Sequence, residues 1–464
     1  MGKVKNDTIA AISTPPGEGG IGIVRMSGPE AIEIAARIFR PKRGLDIKAV
    51  PSHTVHFGHI VRPGERETVD EVLLAVMRAP ATYTTEDIAE INCHGGPVTV
   101  KRVLELCLAQ GARLAGHGEF TKRAFLSGRM DLVQAEAVLD VIRAESDEAQ
   151  RLAMRDLRGV FSGEIKRLRD EALDILSLVE LGIDFTGEDV EFEGAGNIAG
   201  RLRSLKANAA SLLGTFRQGE ILTRGLTVVI AGRPNVGKSS LMNALLKKDR
   251  VIVTPVSGTT RDVVEESVDI NGIKVKLTDT AGIRETDCRI ETESIRRALL
   301  VIARADLVIF MLDASMSLSP ADKEIYQLIG DKERIVILNK VDLEKKVSAD
   351  EIAGTLGGDP VIETSIVKGV NIEKIRAAVS DKVLKMGETS VTCGAMLSNI
   401  RHKRALESAL ENIENAVRSV SVEFNAELLA SDINEAVNDL GLITGETVGE
   451  EVLDRIFAGF CIGK

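Results

Sequence analysis

The chain has 464 residues, of which 44% are hydrophobic, so it can build several packed domains and is too long for one core. Its formal net charge of -10, from 59 Lys and Arg against 69 Asp and Glu, argues against a surface that is basic throughout. The absence of Trp argues against aromatic base-stacking platforms, and five scattered cysteines without a CxxC pair fit a reducing cytoplasm better than a disulfide framework or a zinc site. No apolar run approaches the ~20 residues of a membrane span. We therefore expect a cytoplasmic protein that has neither a membrane nor DNA as a partner.

The first 120 residues predict a small α+β domain. Helical spacing of apolar residues follows Pro29 and recurs at about residues 98–110. Strand-like runs lie at residues 7–12, 21–26, 53–62, 69–78 and 88–93.

Two helical stretches flank a central segment in which strands and helices alternate. Apolar stripes at helical spacing occur in residues 121–222 and return in residues 386–464. The alternation in residues 223–385 is typical of a doubly wound α/β domain. Asn271-Gly272 between two β-branched runs predicts a type I′ hairpin, and hence one antiparallel pair in an otherwise parallel sheet. Residues 180–194 carry six acids and no base, which is more typical of a solvated loop than of a binding site.

The predicted fold class is therefore a multidomain α/β plus α protein. Its predicted parts are an N-terminal α+β domain at residues 1–120, a discontinuous helical domain at 121–222 and 386–464, and an inserted doubly wound α/β domain at 223–385.

A P-loop organises the central segment. An apolar run at residues 226–231 predicts a buried strand, and Gly232-x-x-x-x-Gly237-Lys238-Ser239 follows it before a helical run. The backbone N–H groups of such a loop and the helix N-terminus cradle phosphate oxygens. Lys238 would reach the β- and γ-phosphates, and the Ser239 hydroxyl would ligate Mg²⁺. The plain alternative is a glycine-rich turn before a helix, and the downstream motifs argue against it.

Three further segments follow in the order that a GTPase requires. Residues 254–262 resemble a switch-I loop, in which a threonine completes the Mg²⁺ shell, and Asp279-Thr280-Ala281-Gly282 ends a strand. Asn339-Lys340-Val341-Asp342 follows another strand. The Asp342 carboxylate can accept from N1–H and N2–H₂ of guanine together, a donor pair that adenine lacks. Ser365-Ile366 falls where a further base-contacting loop belongs, although Ile366 stands where alanine is usual.

These motifs predict that the inserted domain at 223–385 is a Ras-like P-loop G domain. They predict a GTP site with Mg²⁺ bound by Ser239 and Thr260. The predicted GTP-binding residues are Asn235, Val236, Gly237, Lys238, Ser239, Ser240, Thr254, Pro255, Val256, Ser257, Gly258, Thr259, Thr260, Asp279, Thr280, Ala281, Gly282, Asn339, Lys340, Asp342, Ser365 and Ile366.

The group that positions the attacking water is not evident from the motifs. Many GTPases place a glutamine directly after Asp-x-x-Gly, but Ile283 stands here and cannot orient water. The nearby carboxylates are those of Glu285, Asp287, Glu291 and Glu293. The residues alone leave each of them open to being a solvated switch-region charge.

Together, these segments resemble the MnmE (TrmE) family of tRNA-modification GTPases over essentially the full chain. Outside the GTPase motifs, the resemblance rests on Thr14-Pro15-Pro16-Gly17-x-Gly19-Gly20-x-Gly22-Ile23, His94-Gly95-Gly96-Pro97, Gly118-Glu119-Phe120-Thr121-x-Arg123-Ala124-Phe125, Asp131-Leu132-x-Gln134-Ala135-Glu136-Ala137 and the ending Ile456-Phe457-x-x-Phe460-Cys461-Ile462-Gly463-Lys464.

The resemblance implies a homodimer that works with the FAD-dependent partner MnmG. It implies that the pair adds an aminomethyl or carboxymethylaminomethyl group to C5 of the wobble uridine, U34, of certain tRNAs. A tetrahydrofolate derivative, 5-formyl- or methylene-tetrahydrofolate, would supply the carbon unit from an N-terminal domain that also dimerises. The implied folate contacts are Arg25, Glu90, Arg129 and Lys464, with Arg129 where some members have lysine.

The resemblance also implies a GTPase stimulated by K⁺. The implied K⁺ ligands are Asn235, Thr254, Val256 and Thr259, and the implied water-positioning carboxylate is Glu291, so catalytic roles are expected for Glu291, Lys238 and Asn235. Several roles have ordinary alternatives. Asn235 could simply tolerate the loop conformation, and Arg25 and Glu90 could be a surface ion pair. Cys461 could be a nucleophile or a small buried hydrophobic residue.

Two other functions remain open at this stage. A regulatory GTPase of ribosome assembly would need an RNA-binding appendage such as a KH module with a GXXG loop, and residues after 385 do not supply one. A folate-dependent one-carbon transferase with a regulatory GTPase differs from the leading interpretation only in whether tRNA and a partner are required.

Overall fold

A computed structural model describes residues 6–42, 44–64, 67–184, 195–246, 266–279, 300–385, 394–422 and 425–464. The chain divides into two compact units. The first comprises residues 1–139, 157–169 and 437–464, and the second comprises residues 140–156 and 170–436. The predicted domain boundaries stay a prediction, because these units group the end of the chain with the N-terminal sheet and divide the predicted helical domain between them.

The first unit is built on a seven-stranded sheet. Its spatial order is β3-β4-β5-β6-β2-β1-β7, antiparallel throughout except for the parallel β1–β7 pair. The strands are β1 (Ile9–Ile12), β2 (Gly19–Ser27), β3 (Phe39–Pro41), β4 (Thr54–Val61), β5 (Thr68–Met77), β6 (Ile88–Gly95) and β7 (Arg113–Leu114). The sequence patterns predicted five of these strands, but not the short β3 and β7.

One face of this sheet carries the core of the unit. Along β5, Val72, Leu74 and Val76 are buried while Leu73 between them is exposed, as expected of a strand with one covered face. Apolar residues of the helices Ala31–Ile38 and Pro97–Ala109 join the same hydrophobic cluster. The unit also contains a 3₁₀ turn at Ile47–Ala49 and the helices Glu119–Leu126 and Glu450–Ala458.

The second unit contains a six-stranded sheet with the order β13-β12-β11-β8-β10-β9. The strands are β8 (Leu226–Ala231), β9 (Glu266–Ile270), β10 (Ile273–Asp279), β11 (Leu307–Asp313), β12 (Arg334–Asn339) and β13 (Val361–Glu363). Every pair is parallel except β9–β10. Asn271 and Gly272 join that pair with φ of 54° and 81°, values that suit the type I′ turn predicted from the sequence.

Both faces of this sheet are covered. Along β11, Ile309 belongs to one hydrophobic cluster and Phe310 to another, and all seven residues of the strand are buried. A parallel sheet buried on both faces explains why its central strands read as continuous apolar runs. Helices of the second unit, or shared between the units, are Leu132–Arg143, Asp147–Leu157, Val160–Asp184, Ala195–Gly214, Phe216–Arg224, Lys238–Leu246, Pro320–Ile329, Ala349–Thr355, Ile372–Lys385, Ile400–Val422 and Ala426–Thr444.

The predicted fold class, α/β plus α with several domains, is confirmed. One local expectation is wrong, because the acidic stretch at 180–194 begins in the helix Val160–Asp184, and its remainder lies outside the described residues. Within the described part of the chain, none of the helices is both long and apolar enough to cross a lipid bilayer.

Candidate functional site

Four parallel strands of the second unit end at one edge of its sheet. Asp279 at the end of β10 lies opposite Ile230 of β8, and Asp313 at the end of β11 lies opposite Asn339 of β12. Ligands of open α/β sheets bind beyond the carboxyl ends of the strands. The P-loop and the Asn339–Asp342 segment start at this edge, so the topology brings together two motifs that are about a hundred residues apart.

The P-loop has a backbone that needs its glycines. Gly232 and Gly237 have φ of 149° and 108°, and a Cβ added at Gly232 would lie 2.5 Å from the Met311 carbonyl oxygen. A Cβ at Gly237 would lie 2.4 Å from Asn339 Nδ2. Asn235 has a φ of 63° and is exposed, a left-handed conformation that asparagine tolerates better than most residues. The loop is therefore the tight turn that a phosphate cradle requires. The close approach of other atoms to Gly232 and Gly237 is a constraint beyond that of an ordinary glycine-rich turn.

Lys238 begins the helix Lys238–Leu246 and is 7% exposed. Its Nζ donates to the carbonyl oxygens of Gly232 and Arg233, each at 2.9 Å. These bonds hold the ammonium group over the loop at the helix N-terminus, where phosphate charge is favoured.

Asn339 ties the P-loop to the base-contacting loop. Its Nδ2 donates to the Val236 carbonyl at 2.8 Å, and its Oδ1 accepts from the Ile366 N–H at 3.3 Å. Asn339 is buried, so both bonds are shielded from water. The predicted residues Val236, Gly237, Lys238, Asn339 and Ile366 are thus one connected group.

Lys340 and Asp342, which follow Asn339 in the motif, have different side-chain partners. Lys340 has a φ of 64°, and its Nζ pairs with Asp313 Oδ2 at 2.6 Å. Burial acts to raise the pKa of Asp313, but hydrogen bonds from Lys340 and Ser315 outweigh it and lower that pKa. A hydrogen bond from Ser365 lowers the pKa of the exposed Asp342. Asp342 is therefore an anion with an oriented carboxylate, as reading two guanine donors requires.

Several predicted nucleotide residues lie outside the described part of the chain. They are Glu291, Thr254, Pro255, Val256, Ser257, Gly258, Thr259, Thr260, Thr280, Ala281 and Gly282, together with the neighbouring carboxylates Glu285, Asp287 and Glu293. For Asp279 the structure describes the strand position alone.

The described residues fit the predicted ions in part. Ser239 and Ser240 are exposed in the first turn of the helix after the P-loop, and a hydroxyl oxygen there is a ligand that Mg²⁺ accepts. Asn235 is exposed on the loop and offers an amide oxygen suited to a monovalent cation. The remaining predicted ligands of both ions fall on residues 254–260.

The predicted folate residues of the first unit meet in a cluster. Arg25 and Glu90 are cross-strand partners on β2 and β6, and Arg25 Nε donates to Glu90 Oε1 at 2.6 Å. Their side chains are 17% and 20% exposed. The sequence alternative, a surface ion pair, describes the pairing but not the partial burial of the two side chains.

The Tyr83 ring lies near both Arg25 and Arg129. The Arg129 guanidinium carbon is 4.8 Å from the centre of the Tyr83 ring, and the Arg25 carbon is 5.9 Å from it. Arg129 also donates to the Tyr83 carbonyl at 3.1 Å, and the Tyr83 hydroxyl is 2.9 Å from Thr121 Oγ1. Burial raises the pKa of Tyr83, so the phenol is neutral. The ring thus holds two cations in place by cation–π attraction.

The end of the chain completes the cluster. Gly463 has a φ of 95°, and its carbonyl accepts from Ser13 Oγ at 3.2 Å and from Arg25 Nη1 at 3.5 Å. A Cβ at Gly463 would lie 2.2 Å from the Ile12 carbonyl oxygen, so only glycine fits. Burial and the nearby Arg25 lower the pKa of the adjacent Lys464. Cys461 is exposed, so the alternative of a small buried hydrophobic residue is wrong.

A cavity of about 520 Å³ opens beside this cluster. Tyr83 and Arg129 line it together with His53, Thr85 and Ser127. His53 and Thr85 have φ of 61° and 65°, and a β-branched residue in this region is strained. Strain of this kind collects at ligand sites. Among the predicted folate contacts, Arg129 lines the cavity, which gives a ligand room beside it.

Sequence analysis missed two residues of these sites. Asp313 ends an apolar run at the carboxyl end of a strand, which is a usable signal, but no motif marks it. Tyr83 is one of only two tyrosines in the chain, and its place between two arginines depends on the fold.

Two family models match the chain. A family model described as "MnmE helical domain" matches residues 132–461, and one described as "GTP-binding protein TrmE N-terminus" matches residues 8–129. The chain belongs to the MnmE family. The "tRNA modification GTPase MnmE" of Thermoanaerobacter pseudethanolicus is 46% identical over 458 residues, 99% of each chain. The protein of the same name from Geobacillus kaustophilus is 46% identical over 459 residues, again 99% of each chain.

The MnmE assignment confirms the predicted family and makes the chain a GTP-hydrolysing enzyme. Among solved structures, Era of Aquifex aeolicus bound to GDP and AlF₄⁻ is similar, with 29% identity over 40% of this chain and 66% of that chain. Its TM-score of 0.27 is too low to support an argument about geometry.

Proposed function

We propose that this MnmE-family enzyme uses GTP hydrolysis to drive modification of the wobble uridine, U34, of certain tRNAs. With the FAD-dependent partner MnmG, it adds an aminomethyl or carboxymethylaminomethyl group to C5 of that base. The observation that carries the proposal is a cluster in a different unit from the P-loop. In it Arg25 pairs with Glu90, the Tyr83 ring is near Arg25 and Arg129, and Lys464 is near Arg25 and Glu90. A regulatory GTPase alone has no use for such a cluster. The relatives are named for tRNA modification.

The cluster has the chemistry to hold a tetrahydrofolate derivative. The Glu90 carboxylate can accept from the N–H edge of a pterin, and the cations of Arg25, Arg129 and Lys464 can pair with the carboxylates of a glutamate tail. Bound 5-formyl- or methylene-tetrahydrofolate would supply the one-carbon unit. The protein side chains hold the cofactor, and the half-buried setting of the ion pair excludes part of the solvent and strengthens each contact.

For GTP hydrolysis, the described residues bind and orient the nucleotide. The P-loop N–H groups and Lys238 meet the phosphates, and Asp342 selects guanine over adenine. Mg²⁺ held by Ser239 and Thr260 would neutralise phosphate charge. Glu291 takes the water-positioning role that Ile283 cannot fill.

Stimulation by K⁺ is part of the proposal. Asn235 stands exposed in the P-loop with a left-handed backbone, and Thr254, Val256 and Thr259 supply the other ligands. A cation there would offset charge that develops in the transition state. K⁺ is larger than Na⁺, so a cage sized for it holds Na⁺ poorly. GTP turnover should be fast in K⁺ and near background in Na⁺ at matched ionic strength, and equal rates in the two salts would remove this part of the proposal.

A homodimer formed through the N-terminal domain has support from the outer face of its sheet. Phe57 and Leu73 are direct cross-strand partners, and both are exposed, as is Val55 two residues before Phe57. Apolar residues grouped on one sheet face are typical of an interaction surface. The described cysteines Cys93, Cys107 and Cys461 are free thiols, which agrees with a cytoplasmic location.

Comparison of tRNA nucleosides from cells with and without this protein tests the proposal. Loss of the modified wobble uridine, restored by the intact gene and not by a variant lacking Arg25 and Glu90, is the expected result. Unchanged tRNA nucleosides together with a ribosome-assembly defect would instead identify a regulatory GTPase. Full modification of tRNA in cells lacking MnmG would identify a one-carbon transferase that needs no partner.

A further inference from the structure

The P-loop residue Arg233 directs its side chain to another element. Its Nε donates to Asp322 Oδ1 at 2.7 Å, although the two residues are 89 positions apart. Asp322 lies in the first turn of the helix Pro320–Ile329. The helix carries none of the four nucleotide motifs, so no motif analysis assigns Asp322 a role in the nucleotide site.

Asp322 is an unusual capping residue because it is buried. With Ser319 it forms a capping box, in which its Oδ2 accepts from the Ser319 N–H at 2.9 Å and from the Ser319 hydroxyl at 2.7 Å. A capping box satisfies free N–H groups at a helix start and needs no burial to do so. Asp322 is only 1% exposed, and a carboxylate at such a site requires a paired cation. Arg233 is that cation.

The same P-loop residue also orients the phosphate-binding lysine. Lys238 Nζ donates to the Arg233 carbonyl at 2.9 Å. The guanidinium of Arg233 is thus anchored to a fixed helix while its carbonyl accepts from the ammonium of Lys238. On its other side the loop is held by Asn339 through the Val236 carbonyl. Two elements outside the loop therefore set its shape, one on each side of Asn235.

We propose that Asp322 is a positioning residue of the nucleotide site, which places the Lys238 ammonium through Arg233. It touches neither nucleotide nor metal. Its effect is to keep the Arg233 carbonyl where it directs Lys238 at the phosphates, since an acceptor that moves by a few tenths of an ångström turns the ammonium with it. Asp322 therefore affects phosphate binding and leaves the recognition of guanine unchanged, because Asp342 and Ser365 lie in loops other than the P-loop.

Fluorescent GDP titration of the full-length protein tests this assignment. Asp322→Asn cannot accept from all three donors, and Arg233→Gln removes the cation. Each substitution should weaken GDP affinity by about 5- to 30-fold, and kcat/KM for GTP should fall by a similar factor. The double variant should lose no more GDP affinity than either single variant, because both substitutions break the same Arg233–Asp322 contact. The ratio of GDP to IDP affinity should stay at the wild-type value, since IDP differs from GDP only at the base.

Ser319→Ala is the matched control. It removes a cap hydroxyl from the same helix and from the same carboxylate, and it leaves the Arg233–Asp322 contact in place. It should lower the Tm as Asp322→Asn does, with GDP affinity within twofold of wild type. If Ser319→Ala loses as much affinity as Asp322→Asn, the effect is one of helix stability and the assignment fails. It fails also if Arg233→Gln, on a side chain that is partly exposed, binds GDP within twofold of wild type.

Discussion

The nucleotide site draws its described contacts from short stretches of continuous chain, mainly residues 232–240 and 339–342. The proposed folate cluster draws its contacts from β2, β6, the segment around Arg129 and Lys464. In the first site backbone groups make many of the contacts. Glycine is required at Gly232 and Gly237 because a Cβ there would lie too close to other atoms. In the second site charged side chains stack and pair around one tyrosine. A site made from backbone leaves a motif in the sequence, whereas a site made from distant side chains does not.

This comparison predicts that single substitutions have effects of different size in the two sites. The largest loss of function should follow removal of the group that positions the attacking water. Glu291→Ala should slow single-turnover GTP hydrolysis by about 10²- to 10⁴-fold with little change in GTP affinity, because a water-positioning group acts in the transition state. Single-turnover rates in K⁺ beside a nucleotide titration measure this. Glu293→Ala is the control, and a Glu293 variant that fails while Glu291→Ala works would reassign the role.

Base reading should be the next most sensitive function. Asp342→Asn replaces a charged acceptor for two guanine donors, which should weaken GTP binding by on the order of 2–4 kcal/mol, or about 30- to 700-fold. Titration calorimetry measures the loss. Asp350→Asn, an exposed acid in the same domain and outside the motifs, should bind GTP normally. A loss below threefold for Asp342→Asn would contradict the base-reading role.

The two sites should be separable by substitution in the folate cluster. Arg25→Ala together with Glu90→Ala removes the partly buried ion pair and should reduce 5-formyltetrahydrofolate binding to an undetectable level, a loss of about 10²-fold or more. GTP turnover of the same protein should stay close to wild type, because both residues lie in the other unit. Wild-type folate affinity in the double variant would show that the cofactor binds elsewhere.

The smallest effect should come from the residue that orders the cluster without carrying charge. Tyr83→Ala removes the ring between Arg25 and Arg129 and should weaken folate binding by about 5- to 30-fold, the scale of one or two cation–π contacts. Tyr83→Phe keeps the ring and loses only the contact with Thr121, so it should bind folate within threefold of wild type. Equal losses in the two variants would mean that the hydroxyl, and not the ring, organises the site.

Much of the molecule could be predicted from local patterns. The Gly232–Gly237 motif, the Asn271-Gly272 hairpin and the strand at residues 69–78 are each marked by neighbouring residues, and the structure has them as expected. The close approach of Met311 and Asn339 to the two glycines comes from the fold. The start of the acidic stretch could not be predicted as helix, because residues 180–184 continue a helix that is supported by packing further along its length. The short strands β3 and β7 exist through pairing with distant partners and have too few residues for a periodic pattern.

By itself the sequence determined the P-loop, the order of the GTPase motifs and the fold class, and it predicted Asp342 as the base-reading residue. These depend on φ angles, apolar periodicity and donor–acceptor chemistry, which act over a few residues. Only the tertiary structure decided that Gly463 packs against Ile12, that Tyr83 contacts two arginines and that Asp322 anchors Arg233. Each of these contacts joins residues that are from 46 to 451 positions apart by their numbers in the chain. Such contacts form only when burial of the hydrophobic cores has brought these distant parts of the chain together.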